Sequence, residues 1–359
     1  MKKIDWYIFK KFISTFVFSV ILLTVISTVI DMSEKTDDFV KSGLSARDIF
    51  LQYYMGFIPY IISMLFPLFV FISVIFFTSK MANRSEFIAI LASGVSLARI
   101  LRPYLVGGIL LGLLLWYGNQ YIIPLANEKR THFEAKYVKS PIMQVVSRSI
   151  YMRVDSFSYC GIRYYDTTSR SGGSFFLEEV HDHNVTYNLR ADNMAWDTAK
   201  KEWRLTGVLE RSIDSLREKV AYYPEMYKKF PFGPKDLQRD EYMHSRLTTP
   251  ELNRMIAMEK LRGSETVKEL MMENAHRNAT PVAVLILALI GAILASRRIR
   301  GGSGVHLALG IIICAVFILT DRFSTIFSTK GDLNPYVAAW IPNVLFGLLT
   351  IYLYKKAPK

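Results

Sequence analysis

Six long apolar runs constrain this chain more than any other feature of its sequence. A membrane-spanning helix needs roughly 20 consecutive apolar residues to cross a hydrocarbon layer about 30 Å thick. Four of the runs reach that length, and the other two can borrow flanking residues. The runs cover residues 12–30, 50–78, 103–123, 281–295, 305–320 and 337–354. We therefore predict an α-helical membrane protein with six spans, three before and three after a long polar segment.

Basic residues are concentrated in the short segments beside these runs. Four such segments hold 14 Lys and Arg residues against two acids, Asp5 and Glu86, whereas the rest of the chain has 30 bases and 29 acids. By the positive-inside rule these segments face the cytoplasm, which places both termini inside and residues 124–276 outside. The net charge of +13 therefore reports the orientation of the chain in the membrane and does not indicate a nucleic-acid partner. The four segments are 1–11, 79–102, 296–303 and 353–359.

The outer segment lacks helical periodicity and alternates polar and apolar residues between turns. The clearest case is residues 185–212, where two alternating stretches flank the turn "DTAKKE". Regularly spaced short strands predict an inserted all-β sandwich or barrel, whose strand order the sequence leaves open. We assign this domain to residues 124–248, between a first membrane half at 1–123 and a second half with connecting helices at 249–359.

Two smaller features accompany the β domain. The text "TTPELNRMIAMEKLRG" predicts a helix with Thr249 as its cap, Pro250 at its first position, Glu251 in its first turn and Gly263 at its end. Cys160 lies in the outer segment and Cys314 lies in the fifth run, so we expect two buried free thiols and no disulfide.

The segment between the second and third runs is unexpectedly rich in helix signals for a turnaround. Asn83 and Glu86 have the spacing of a capping box. Apolar Phe87 and Leu91 share one face at helical spacing, and Gly94 is placed to end the helix. These signals predict an amphipathic helix inside the turnaround.

Two interpretations of this helix, at about 83–94, are open from local sequence. In the first, it docks on a cytoplasmic partner, with Arg84 and Glu86 as polar contacts and the apolar face as anchor. In the second, Glu86 merely caps a surface helix, which is worth about 0.5–2 kcal/mol.

Motifs for catalysis and metal binding are weak. The "HDH" triplet at 181–183 has no further His or Cys nearby, and its spacing in a turn favours a solvated loop over a metal site. The "GGSG" at 301–304 lacks the Gly-Lys pair of a phosphate loop, so we interpret it as a tight turn. No nucleophile elbow occurs either. We predict no catalytic residue, no metal site and no cofactor, so another chain must supply the energy for any work.

Three stretches give the chain a resemblance to a known family. "NRSEFIAILASGVS", "TTPELNRMIAMEKLRG" and "AHRNATPVAVLILALIGAILA" are similar to the cytoplasmic coupling helix, the helix after the β domain and the fourth span of the LptF/LptG (YjgP/YjgQ) permeases of lipopolysaccharide export. The order of three spans, a β domain and three spans is also similar. The resemblance implies a β-jellyroll fold for the outer domain and a location in the inner membrane of a Gram-negative bacterium.

The resemblance also implies a transport subunit that is not an enzyme. In the family, a dimer of a separate LptB-like ATPase pushes on the coupling helix, and a lipid-filled cavity between two permease chains collapses, so the resemblance implies a second permease, a paralog or another copy, as partner. Lipopolysaccharide then passes to periplasmic LptC/LptA-like β-jellyroll proteins towards the outer membrane. The coupling residues implied here are Arg84, Glu86, Phe87, Leu91 and Gly94.

The family's lateral gate consists of the first and fifth spans, which are uniformly apolar in this chain. Such surfaces suit acyl chains, whereas phosphorylated headgroups require bases at the outer rim. The first span has no base before Lys35, which departs from the family pattern. Each rim base has an alternative role as an ordinary interfacial anchor. Our candidates for the lipid path are Thr28, Lys35, Lys41, Arg47, Ile318 and Arg322.

Two other classes of protein stay open. An ABC-associated membrane protein that transmits force or signals without moving lipid would also bind an ATPase, although six spans divided three and three argue against it. A secondary transporter or channel would place ionisable groups near the middle of the membrane, and these runs are almost free of them.

Overall fold

The computed structural model describes most of the chain, in two compact units. The first, which we call the membrane unit, comprises Met1–Glu134, His244–Leu252 and Lys268–Lys359, and the second, the β unit, comprises Ala135–Met243 and Asn253–Val267. The described residues are 3–138, 145–146, 149–166, 169–181, 184–214, 217–234, 237, 243–264, 266–296 and 302–357.

Six helical stretches among the described residues are long and apolar enough to cross a membrane, as predicted. The two short runs at 281–295 and 305–320 do borrow flanking residues, since their helices reach 29 and 28 residues. Three spans precede the strands in the chain and three follow them, which confirms the predicted order. The spans are Lys3–Glu34, Ala46–Asn83, Leu97–Val138, Val267–Ala295, Gly304–Thr329 and Pro335–Lys356.

Twelve α-helices are present in the described part of the chain, some of them joined by π-helical turns. Turns at Phe50–Tyr54 and Gly118–Ile122 connect helices within the second and third spans, and Glu134–Val138 extends the third. Pro59 and Pro67 lie inside α4 without ending it, so the second span is as long as expected. The helices are α1 (Lys3–Glu34), α2 (Thr36–Ser42), α3 (Ala46–Ile49), α4 (Met55–Asn83), α5 (Glu86–Ala92), α6 (Leu97–Tyr117), α7 (Ile123–Phe133), α8 (Met243–Arg246), α9 (Thr249–Arg262), α10 (Val267–Ala295), α11 (Gly302–Thr329) and α12 (Pro335–Lys356).

The termini of the spans sort into two ends of the membrane unit. At one end, which we call the basic end, α1, α6 and α11 begin and α4, α10 and α12 end. Ile8, Met81 and Ala357 share one buried cluster there. The other end, which we call the junction end, holds Glu134 and His244, where the chain leaves the membrane unit and returns to it.

Small residues let α6 and α10 approach each other closely. A β-carbon on Gly112 would stand 2.9 Å from the carbonyl oxygen of Pro281, and one on Gly108 would stand 3.1 Å from Leu285. Larger side chains of α4, such as the fully buried Phe69, fill the core beside them. By contrast, only 17% of the most apolar stretch of α1 and 22% of that of α11 is buried. These two helices therefore present apolar surface outwards.

Seven strands of the β unit form one antiparallel sheet within the described residues, in the order β1-β3-β4-β5-β6-β7 with β2 beside β3. The predicted turn at 197–202 is a hairpin, because Asp197 pairs with Glu202. The inserted all-β domain is thus confirmed, and its strand order is a meander. The strands are β1 (Val145–Val146), β2 (Ile150–Arg153), β3 (Ser158–Asp166), β4 (Ser171–His181), β5 (Asn184–Asp197), β6 (Glu202–Asp214) and β7 (Arg217–Lys228).

The segment after β7 packs against the core of the sheet. Phe230 and Phe232 belong to the core cluster, and the indole N–H of the fully buried Trp203 donates to the Phe232 carbonyl at 3.0 Å. Cys160 lies in the same core, where burial raises the pKa of its thiol to about 12. Cys314 is buried in α11, and both thiols are free, as predicted.

Two predicted boundaries change in the structure. Residues 124–133 are helical and not part of the sheet, because the helix of the third span continues past its apolar run and the membrane unit extends to Glu134. Thr248, and not Thr249, caps α9. The Glu251 carboxylate accepts hydrogen bonds from the Thr248 N–H at 2.9 Å and from its hydroxyl at 2.6 Å. That three-residue spacing is the one a capping box requires.

Candidate functional site

The helix predicted in the turnaround exists as α5, but it is shorter than predicted and begins differently. Asn83 is the last residue of α4, and the next N–H, that of Arg84, still donates to the Lys80 carbonyl at 3.2 Å. Asn83 therefore belongs to the preceding helix and cannot cap α5. Ser85 takes the capping position with φ 60°, and its side chain makes no capping hydrogen bond. The predicted capping box between Asn83 and Glu86 is wrong.

Gly94 lies just beyond the end of α5, as predicted. Its φ is 83°, and its N–H donates to the Leu91 carbonyl at 3.0 Å. A left-handed conformation costs roughly 1–2 kcal/mol for residues that carry a β-carbon. No atom lies within 4 Å of the place where that carbon would stand. Gly94 is thus required by backbone conformation and not by packing.

The apolar face of α5 packs on its own chain. Phe87 is fully buried in one cluster with Met81 of α4 and Leu97 of α6, and Leu91 packs against the same cluster. Phe87 itself therefore cannot anchor a partner, because it has no accessible surface left, whereas Leu91 is only partly buried and its role in docking stays a prediction. The contribution of Phe87 is to hold α5 against the bundle. Ile88, 43% exposed, is the large apolar side chain that α5 leaves open.

Glu86 lies where α5 meets α1. Its carboxylate is 3.5 Å from the Tyr7 hydroxyl, which donates, and 3.9 Å from the Arg84 guanidinium. The side chain of Glu86 is 35% exposed and that of Arg84 is 64% exposed. Exposed pairs of this kind contribute only about 0–1 kcal/mol. Both charges thus stay available to a partner, next to the exposed Ile88.

The lipid-path candidate Thr28 is half-buried on α1, about one turn from the buried Thr24 and Asp31. Its neighbours Val29 and Ile30 belong to the exposed apolar surface of the helix, at 61% and 53% exposure. The Thr28 hydroxyl donates to the Thr24 carbonyl at 2.8 Å, so the helix itself satisfies this polar group. Thr28 therefore lies beside the exposed apolar surface of α1, which suits acyl chains.

Lys35 lies in a largely buried polar cluster at the junction end. Its ammonium group is 2.8 Å from the Asp31 carboxylate and 3.0 Å from the Glu134 carboxylate, and it also bonds the Tyr53 hydroxyl. Arg130 lies 3.8 Å from the same Glu134 carboxylate. Two bases and two acids balance, so the cluster carries little net charge towards a headgroup. A lipid contact for Lys35 stays a prediction.

The other rim candidates fall in two further places. Lys41 and Arg47 are exposed on the short helices α2 and α3. Ile318 and Arg322 of α11 line a cavity of about 600 Å³ within the membrane unit. The structure thus does not bring the six lipid-path candidates into one site.

The weak motifs of the sequence are only partly described. His181 stacks on the ring of Phe157 at a centroid distance of 4.4 Å, whereas residues 182–183 lie outside the described part of the chain. Gly302 begins α11, and residues 297–301 are again outside the described part. The residues that the structure describes contain no group of three or more metal-ligating side chains.

Sequence reasoning missed a polar clasp at the junction end. The Arg277 guanidinium, only 3% exposed, donates to the Thr249 hydroxyl at 3.1 Å and to the His244 carbonyl at 3.3 Å. The Asn127 amide of α7 donates to the Ser245 hydroxyl at 2.7 Å. The returning chain is thus tied to α7 and α10. A signal was present, since an arginine in "AHRNATP" beside an apolar run must find partners inside the bundle.

Comparison with known protein families finds one family model that covers nearly the whole chain. The family model for the lipopolysaccharide export system permease LptF/LptG matches residues 6–356, which include the β unit and all but the first three residues of the six spans. No curated protein matches the chain. A multi-pass membrane bundle, an inserted antiparallel sheet and a short helix in the first turnaround are what the resemblance implied. The chain therefore belongs to the LptF/LptG family of permeases of the lipopolysaccharide export system.

Proposed function

We propose that this protein is the permease half of an ATP-driven exporter that extracts lipopolysaccharide from the inner membrane of a Gram-negative bacterium. The family match over residues 6–356 carries the proposal. The protein itself is not an enzyme, since a separate LptB-like ATPase dimer hydrolyses ATP. The extracted lipid moves on to periplasmic LptC/LptA-like β-jellyroll proteins.

The packing of α5 supports its role as the coupling element. Arg84, Glu86 and Ile88 provide an accessible surface with one base, one acid and one apolar contact. Behind this surface, Phe87 is buried between α4 and α6. A push from the ATPase on α5 is therefore transmitted directly to the second and third spans.

The outward faces of α1 and α11 support a second permease as partner. Both helices are mostly unburied and apolar within one chain, as a surface must be that meets lipid or another membrane protein. A paralog or another copy facing them encloses the acyl chains of the lipid. In this arrangement the basic end of the membrane unit faces the cytoplasm.

The edge of the β sheet supports transfer to a β-jellyroll partner. β7 pairs only with β6 among the described strands, and most of its side chains are exposed. Such an edge has free N–H and C=O groups that can accept a strand from another protein. A continuous sheet across two proteins then extends the route for the lipid.

Photo-crosslinking in cells tests the proposed route. A photo-reactive residue at Thr28 is expected to capture lipopolysaccharide. Thr15 is a matched control on the same helix, because its hydroxyl likewise donates to a carbonyl four residues earlier, that of Lys11, at 2.8 Å. It lies about 20 Å nearer the basic end, so it should capture phospholipid instead. Phospholipid alone at both positions, in a chain that still binds the ATPase, would favour the force-transmitting alternative.

A further inference from the structure

The cavity beside α11 has the features of a separate binding site within one chain. Its volume is about 600 Å³, within the range of roughly 300–1,000 Å³ that small-molecule sites occupy. Side chains of α4, α7, α10, α11 and α12 line it, and α1 contributes none. The cavity is therefore separate from α1 and from Thr28.

The lining changes from charged to apolar along the two helices that contribute its charged side chains, α10 and α11. On α10, Glu273 and Arg277 lie nearer the junction end and Ala283 lies deeper. Helix α11 runs in the opposite direction, so Asp321 lies nearer the junction end and Cys314 lies deeper in the bundle. A molecule that fills this cavity has a polar head at the junction end and an apolar body towards the middle of the bundle.

Most of the charges in the lining are already paired. The Arg277 guanidinium donates to the Glu273 carboxylate at 3.0 Å, and the His276 ring is 3.6 Å from the Asp321 carboxylate. The second ring nitrogen of His276 lies 3.2 Å from the Thr325 hydroxyl. These pairs leave little charge for a ligand.

One base and one acid in the lining are uncommitted. Arg322 and Glu269 are exposed, and neither makes a hydrogen bond or ion pair with any described residue. Arg322 binds a phosphate group well, whereas Glu269 binds an ammonium group. A polyanionic lipid is disfavoured, because the lining has three carboxylates against two guanidinium groups.

We propose that this cavity binds a zwitterionic phospholipid with a primary-amine headgroup, its phosphate on Arg322 and its ammonium on Glu269. Ile318, which lines the cavity and is 41% exposed, marks the side from which a lipid reaches it. The apolar end, with Leu65, Leu68 and Phe317, receives the upper part of an acyl chain. The site does not depend on the export route proposed above, because it lies within a single chain and selects a different lipid.

Native mass spectrometry of the full chain in detergent, with equal amounts of phosphatidylethanolamine, phosphatidylglycerol and lipid A, tests the proposal. The wild-type chain should retain phosphatidylethanolamine in preference to both other lipids. Glu269→Gln should reduce that preference over phosphatidylglycerol roughly tenfold, since it removes one charge-assisted contact. Arg322→Gln should reduce the retention of both phospholipids. Asp37→Asn and Lys330→Gln, which change exposed charges outside the cavity, should change nothing.

A second measurement uses a thiol at the mouth of the cavity, because Cys314 itself is buried. Thr329 lines the cavity and is partly exposed, so alkylation of Thr329→Cys by a membrane-permeable maleimide, followed by peptide mapping, should slow when phosphatidylethanolamine is added but not when phosphatidylglycerol or lipid A is added. Equal retention of the three lipids, displacement of phosphatidylethanolamine by lipid A, or charge variants that behave like their controls would overturn the proposal. None of these results bears on lipopolysaccharide capture at Thr28, so the two proposals fail separately.

Discussion

At the scale of single residues, the position of Lys35 separates two roles that the sequence left open. The ammonium group makes contacts of 2.8 Å and 3.0 Å with two carboxylates, of Asp31 and Glu134, whose side chains are 10% and 12% exposed. Removal of the base leaves two largely buried negative charges close together. Such breakage of a buried pair typically costs about 3–5 kcal/mol.

We therefore expect Lys35→Met to lower the free energy of unfolding of the purified chain by about 3 kcal/mol. Lys35→Arg, which keeps the positive charge, should retain most of the wild-type value. Lys41→Met, at an exposed position on α2, is the matched control and should have little effect. Thermal unfolding in detergent measures both. If Lys35→Met instead keeps full stability and loses only lipid capture, then Lys35 is primarily a headgroup contact.

At the scale of elements, α5 illustrates what a local pattern can predict. Its helical spacing and its ending at Gly94 were readable, because both depend on residues within the helix. Its beginning was not, because a capping side chain works only if the backbone at that residue is extended, and here α4 continues through Asn83. The same lesson applies to α9, where the cap lies one residue earlier than predicted, at Thr248.

The proposed coupling role of α5 predicts different effects for neighbouring residues. Glu86→Lys should leave the fold intact but weaken ATPase association and export at least tenfold, because it reverses a charge facing a basic partner. Glu86→Gln should be milder. Phe87→Ala should instead destabilise the membrane unit by about 3–5 kcal/mol, since it empties a fully buried site.

An ATPase pull-down, an export assay and thermal unfolding, applied to the same three variants, distinguish these effects. Glu86→Lys that behaves like the wild type in pull-down and export would reduce α5 to an ordinary surface turn. Loss of stability in Glu86→Lys comparable to that in Phe87→Ala would show that the acid is structural.

At the scale of the whole molecule, the orientation in the membrane is open to a direct test. Cys160 is an unreactive background thiol, because burial raises its pKa to about 12 and only the thiolate is nucleophilic. Thr198→Cys, in the exposed turn between β5 and β6, should react with an impermeant maleimide that has access to the periplasm. Ser93→Cys, exposed beside α5, should react only after the inner membrane is opened. Equal labelling of the two variants would contradict the proposed topology.

The six spans and their order were predictable because a bilayer imposes a length and a composition on each helix separately. The paired charges of the cavity and the clasp at Arg277 were not. They depend on which polar side chains of α7, α10 and α11 come together, and the spacing of residues along one helix contains no such information. For the same reason, the pairing of Lys35 with Glu134, 99 positions away, could not be read from the chain.

The complete burial of Phe87 sets a mechanical limit on the transmission of force. Detaching α5 from the bundle would return a whole phenylalanine side chain to water, at a cost of about 1.5–3 kcal/mol from that residue alone. If an ATPase pushes on α5 as proposed, a stroke that puts less work than this into the contact moves the second and third spans together with α5 as one stiff body. A stroke that puts more work into it would peel the short helix away, and the energy would be lost before it reached the membrane.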